Sequence, residues 1–209
     1  MRISTVRPLV SALATLAVVA CASSQQYESS SAAAGMVDLS AYPTPTLDAS
    51  ETQLLQSMSD ADILGHFITV DSMELATADS AIRFSKRDDI LTFARMMHAA
   101  HEANLQRDRD LAKQTGITPV TAFGGLRASH VAAMLDSVRF ASDLMIDRHY
   151  VMSQVQLHEH VLAELQTLQG VAKNQAVRDQ ITTVIPVIRD HLARAHALAV
   201  DKGFEKKRG

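Results

Sequence analysis

Four long stretches of this chain carry an apolar stripe at three- and four-residue spacing, and each stripe is interrupted near its middle by one ionisable residue. From His101, such steps land on Ile90, Ala94, Met97, Leu105 and Leu111, the pattern of a core-facing helix. The preceding stretch places Ile63, Phe67, Val70, Glu74, Ala78 and Ala81 on one face. The third aligns Leu144, Val151, Val155, His158, Leu162 and Leu165, and the fourth Ile181, Val184, Ile188, His191, Ala195 and Leu198. A helix with one apolar stripe must bury it against other elements. The expectation is an all-α four-helix bundle with Glu74, His101, His158 and His191 in one polar layer.

Local signals set the boundaries. Ser59 is a good N-cap for the first helix, with Asp60 and Asp62 in its first turn, where negative charge suits the helix dipole. Lys86 and Arg87 close it, Asp88 and Asp89 open the second helix, and that helix runs to Gln114 before Gly116 and Pro119. So short a link makes these two antiparallel neighbours. The third helix is expected over about 142–169, ended by Gly170, and the fourth over about 174–201. Pro186 lies inside the fourth and is expected to kink it. Between the second and third helices lies a long crossover, broken at Gly124-Gly125, with a short helix expected over 128–138. A hydrophobic share of 47% with only 4% aromatics and no Trp favours helix over sheet. The formal charge of -3 comes from intermixed signs, which argues against nucleic-acid binding.

The N-terminus reads differently. Arg2 and Arg7 precede an apolar run from Leu9 to Ala20, too short for an ordinary membrane span, and Val18-Val19-Ala20-Cys21 resembles the bacterial lipobox. The expected organisation is a signal peptide over 1–20, lipidated Cys21 followed by a disordered tether to residue 58, the bundle over 59–202 and a solvated tail over 203–209. Some nascent helix is expected near Glu51 to Met58. Lipid at the single cysteine leaves none for a disulfide. Ala22 at the following position favours anchoring at the periplasmic face of the outer membrane.

The four polar residues fall within two or three positions of their helix centres, so their heights differ by about 5 Å or less at 1.5 Å per residue. Uncompensated burial of such groups costs several kcal/mol each. They must satisfy one another, either by holding a mononuclear transition metal or as a metal-free network in which protonated His balances Glu74. Imidazole and carboxylate donors suit Zn, Fe, Mn, Cu or Ni without choosing among them. His98, one turn before His101, is a further candidate ligand. Met97 and Met152 read as core filler, and His66, His130, His149, His160 and His196 as surface or edge residues. Asp71, Asp143, Asp147 and Asp190 read as solvated groups or as partners of the ligands, and Asp147 and Tyr150 as a pair able to bond across helices. No Ser-His-Asp order, Gly-rich phosphate loop or H-E-x-x-H is present, so neither catalytic residues nor an organic cofactor are expected. The competing expectation is a noncatalytic envelope protein that binds another protein or the cell wall, its polar layer merely fixing helix register.

M-M-H-A-A-H at Met96 to His101, I-D-R-H-Y-V at Ile146 to Val151, Q-V-Q-L-H at Gln154 to His158 and I-P-V-I-R-D-H-L at Ile185 to Leu192 together resemble a bacterial family of secreted, often lipid-anchored proteins known as domain of unknown function 4142. Glu74 in its M-E-L context fits as well, and the resemblance spans about residues 59 to 200. It implies a ferritin-like four-helix fold with unassigned biochemistry. Ferritin-like dinuclear sites use a Glu on each of two helices and Glu-x-x-His on the others. Here His98 and Ile188 stand where the glutamates of that motif would be, before His101 and His191. Bridging carboxylates are nearly absent, so the resemblance implies a mononuclear site or a metal-free remnant rather than oxygen activation or iron storage.

Overall fold

The structure, a computed structural model, describes residues 38–42, 46–120 and 145–206. Among them the chain is all-helical: a 3-10 turn Leu39–Ala41, then α1 (Ala49–Gln56), α2 (Asp60–Phe84), α3 (Asp88–Thr115), α4 (Ile146–Val171) and α5 (Gln175–Asp201), with no strand. The expected signal peptide, Cys21 and the helix expected over 128–138 lie outside the described residues.

Helix starts follow the side chains that can satisfy the free amides of a first turn. Ser59 accepts from the Asp62 amide while Asp62 reaches back to the Ser59 amide, and Asp48 and Glu51 do the same at the start of α1. Asn174 caps α5. At the end of α3, Gly116 turns left-handed at φ 70°, a conformation that costs a residue without Cβ almost nothing. The four long helices begin and end within a few residues of the expected positions, and α5 continues through Pro186.

The tether expectation changes between Asp48 and Met58. α1 is a formed helix, and Leu55 and Met58 are buried in the main core, with α1 packed on α4. Eight residues carry too few apolar positions for a convincing stripe, so periodicity alone understates them. Tyr42 is also buried, its ring 3.7 Å from that of His196.

α2 packs on α3 and on α4, and α5 packs on α4 and on α3. Paired residues give the directions. Asp79 approaches His98 while Asp71 meets His101, so α2 and α3 run oppositely. Glu74 with Gln154 and His66 with Glu164 make α2 and α4 antiparallel. Asp108 with Gln180, and Asp89 with Lys202, do so for α3 and α5. Thr182 with Gln169, and His196 with Glu159, do so for α4 and α5. Every adjacent pair is antiparallel, so α3 and α4 run the same way, and the end of one lies at the opposite end of the core from the start of the other. After α3 the chain returns to the start of α2, where the Val120 amide donates to the Ala61 carbonyl at 2.9 Å. At that same end the Lys173 and Asn174 amides donate to the Asp60 carboxylate at 2.9 and 3.0 Å.

The expected stripes face the common core. Ile63, Ala81, Ile90, Ala94, Met97, Val151, Leu165, Ile181 and Ala195 are almost or fully buried. No helix among the described residues is long and apolar enough to cross a membrane.

Candidate metal centre

α3, α4 and α5 each project one imidazole into the middle of the core. His101, His158 and His191 are 3%, 2% and 2% exposed, and their ring centroids form a nearly equilateral triangle of 5.7, 5.4 and 5.4 Å. A nitrogen from each lies within 4.8 Å of the others.

The outer partners fix which nitrogen faces inward. Nδ1 of His101 is 2.8 Å from Oδ1 of Asp71, and Nδ1 of His158 is 2.9 Å from the Gln154 carbonyl oxygen. Both oxygens only accept, so each Nδ1 carries the hydrogen and each Nε2 is left as the inward donor. Neither Nε2 has a hydrogen-bond partner, and both nitrogens of His191 lack one too. Asp71 is held in turn by Asn104, whose Nδ2 donates to Oδ2 at 2.8 Å. A ring held from behind by a carboxylate or a carbonyl, with its other nitrogen unengaged, is the arrangement of metal-ligating histidines.

Burial sets the charges. It holds His158 well below the ordinary histidine range, with the neighbouring His191 and His101 charges adding to the effect. His191 falls to about 3, through burial first and then the charges of His101 and Arg194. Both rings are therefore neutral near pH 7, as a ligand must be. Burial pushes His101 the same way but is outweighed by the Asp71 hydrogen bond and the Glu74 and Asp71 charges, so its pKa rises.

Glu74 stands beside the triangle. It is 1% exposed, Oε2 accepts from Gln154 Nε2 at 2.8 Å and from Thr77 Oγ1 at 3.3 Å, and Oε1 is 3.9 Å from Nδ1 of His158. Burial, with the Asp71 charge behind it, raises its pKa, while the His101 charge and the bonds from Gln154 and Thr77 work against that rise. The expected four-residue layer thus appears as three imidazoles around one point with the carboxylate at their flank. His98 lies half-buried on α3, its Nε2 3.4 Å from Asp79 Oδ1 on α2, and it is not among the three side chains that converge. Met97 is core, as expected. Tyr150 is fully buried, and neither its hydroxyl nor Oδ1 of Asp147 has a hydrogen-bond partner, so the expected bond between helices is not made.

Two histidines assigned to the surface are buried. His66 is 3% exposed against Glu164, and His196 is 1% exposed between Glu159, Glu205 and the Tyr42 ring. His66 lies eight residues before Glu74, close to the same face of α2, so its facing was readable. His196 lies off the α5 stripe and is covered by segments that periodicity does not place. Gln154, Asn104 and Asp108 were also missed. They sit at offsets of four, three and seven residues from His158 or His101, and the same facing rule would have found them.

The residues that build this centre fall within a region, 44–198, that matches the family described as Domain of unknown function (DUF4142). The chain belongs to that family. The matched region takes in α1 as well as the four long helices, so the family's domain starts before the residue 59 expected from the motifs. No curated protein and no solved structure matches the chain.

Proposed function

We propose that this family member binds one transition-metal ion through His101, His158 and His191, with Glu74 supplying nearby negative charge. The observation that carries the reading is the set of buried imidazole nitrogens that nothing in the protein engages, two of them backed by Asp71 and Gln154. Each such nitrogen left bare costs about 1–3 kcal/mol, and a cation at the centre of the triangle would engage one nitrogen of each ring. Metal–nitrogen bonds of about 2.0–2.1 Å demand only a small inward shift of the rings. The donors suit Zn, Fe, Mn, Cu or Ni. Elemental analysis of tag-free protein, as isolated and after reconstitution, tests this; no stoichiometric first-row metal in either sample would end it.

A second reading has its own support in the bonds joining Glu74 to Gln154 and Thr77, and His101 to Asp71. The cluster would then be a metal-free network fixing helix register in a noncatalytic envelope protein that binds another protein. Under it, added metal never raises the melting temperature, although His101→Ala still destabilises the fold. His191 favours the metal reading, because a network built for mutual satisfaction would not leave both of its nitrogens without a bond, whereas an ion would engage one of them.

We also propose that the long helices form a ferritin-like four-helix bundle with a crossover between α3 and α4, and that Cys21 anchors it by lipid to the periplasmic face of the outer membrane. The antiparallel neighbours and the lipobox-like segment support these readings. Labelled palmitate that enters the wild-type protein and not Cys21→Ser would bear out the anchor; equal labelling of both would remove it.

A further inference from the structure

Three imidazole nitrogens do not complete the surroundings of a first-row ion such as zinc, which takes four ligands or more. Glu74 stands beside the triangle but is not among the side chains whose donor atoms converge within 4.8 Å. Its carboxylate is held back, because Oε2 accepts from Gln154 Nε2 at 2.8 Å and from Thr77 Oγ1 at 3.3 Å. Swinging it into a ligand position would break both bonds inside the core. Oε1, the oxygen 3.9 Å from Nδ1 of His158, is buried and has no hydrogen-bond partner. A bare buried acceptor of this kind is costly unless something donates to it.

We propose that an ion in the triangle keeps one position for an exchangeable ligand, a water or another small oxygen donor that carries a hydrogen, and that this ligand donates to Oε1 of Glu74. The proposal rests on the metal reading of the three histidines and deepens it. A ligand bond of about 2.0–2.2 Å followed by a charge-assisted hydrogen bond of about 2.5–2.7 Å joins the ion to a carboxylate that stands too far back to bind it directly. The chemistry agrees with the reach. Beside a bound cation the carboxylate is ionised and only accepts, so whatever lies between the two must supply a hydrogen. The neighbours limit its size: His101, His158, His191, Glu74 and Gln154 are all 3% exposed or less. Water, hydroxide and hydrogen peroxide, with one or two heavy atoms, are the class that fits. Three nitrogen donors and one exchangeable position make the pattern of a reactive metal site rather than a closed structural one, with Glu74 orienting the ligand.

Cobalt(II) loading of the full chain, followed by absorption and by electron paramagnetic resonance in water enriched in the magnetic oxygen isotope, tests the proposal. The wild-type chain should show line broadening from a directly bound water oxygen, a result that needs no variant to fold. Fluoride, which matches water in size but has no hydrogen to donate, then probes Glu74. It should bind the cobalt form of Glu74→Gln at least about tenfold more tightly than wild type, because the carboxylate repels the anion and favours a ligand that donates to it. Bound cobalt without broadening means that protein atoms fill every position, which overturns the exchangeable ligand and leaves the triangle standing. Equal fluoride affinity in wild type and Glu74→Gln overturns the bond to Glu74. No cobalt uptake, or uptake that His191→Ala does not reduce, overturns the triangle as the metal site and this position with it.

Discussion

Asp71 sets the direction in which His101 presents its donor. Without the carboxylate the ring loses its orientation and the negative charge behind it. Asp71→Asn is therefore expected to weaken metal binding about 10–100-fold while the helical content stays at the wild-type level, read by calorimetry and circular dichroism. An unchanged affinity would remove Asp71 from the centre. Asp108, two turns further along α3, is fully buried, accepts from Gln180 at 2.7 Å, and is pushed up to about 8, chiefly by burial and then by the charge of Asp71. For this group the folded state holds its proton more tightly than the unfolded state. Its contribution to stability is thus complete below the unfolded pKa of about 3.8 and is lost as pH rises through about 8. Asp108→Asn keeps the neutral shape and escapes that loss. Its advantage over wild type in urea unfolding should grow by at least about 1 kcal/mol between about pH 5 and pH 9. A gap that stays constant across that range would show that Asp108 is not protonated in the fold.

At the scale of elements, the join between α2 and the chain leaving α3 depends on one residue without a side chain. A Cβ on Gly65 would collide with the backbone carbonyl of Val120, and the Val120 amide would stand only 2.9 Å away. Backbone cannot rotate aside as a long side chain can, so Gly65→Ala must displace this segment and break the bond from Val120 to Ala61. The expected cost is about 1–3 kcal/mol in thermal or urea unfolding, the range for overpacking a close contact. Ser59→Ala, which removes the capping box of the same helix, should cost about 1 kcal/mol. Gly116→Ala would probe backbone conformation alone, since nothing lies near its added Cβ. The long helices were legible because each repeats its stripe over many turns and ends at an identifiable cap or glycine. α1 was only half legible: Asp48 and Glu51 announce its start, yet what stabilises it is Leu55 and Met58 packed into a core built by other helices.

For the molecule as a whole, an ion bound to the native state alone stabilises it by mass action, about 2.7 kcal/mol at a hundredfold excess over Kd. Metal added to demetallated protein should therefore raise its melting temperature by several degrees, and His191→Ala should abolish the part of the rise that comes from the triangle. A rise equal in wild type and in His191→Ala would place the stabilising ion elsewhere. The sequence by itself determined that four helices would form, where they would start and stop, and that Glu74, His101, His158 and His191 would point inward, because helical periodicity and capping are local properties of the chain. Only the tertiary structure decided that the three imidazoles share one point while Glu74 turns to Gln154 and Thr77, that His98 faces Asp79, and that His196 is buried. Those outcomes depend on the rotation and height of each helix against its neighbours. Both are set by packing between residues far apart in the chain, which no periodicity within a single helix encodes.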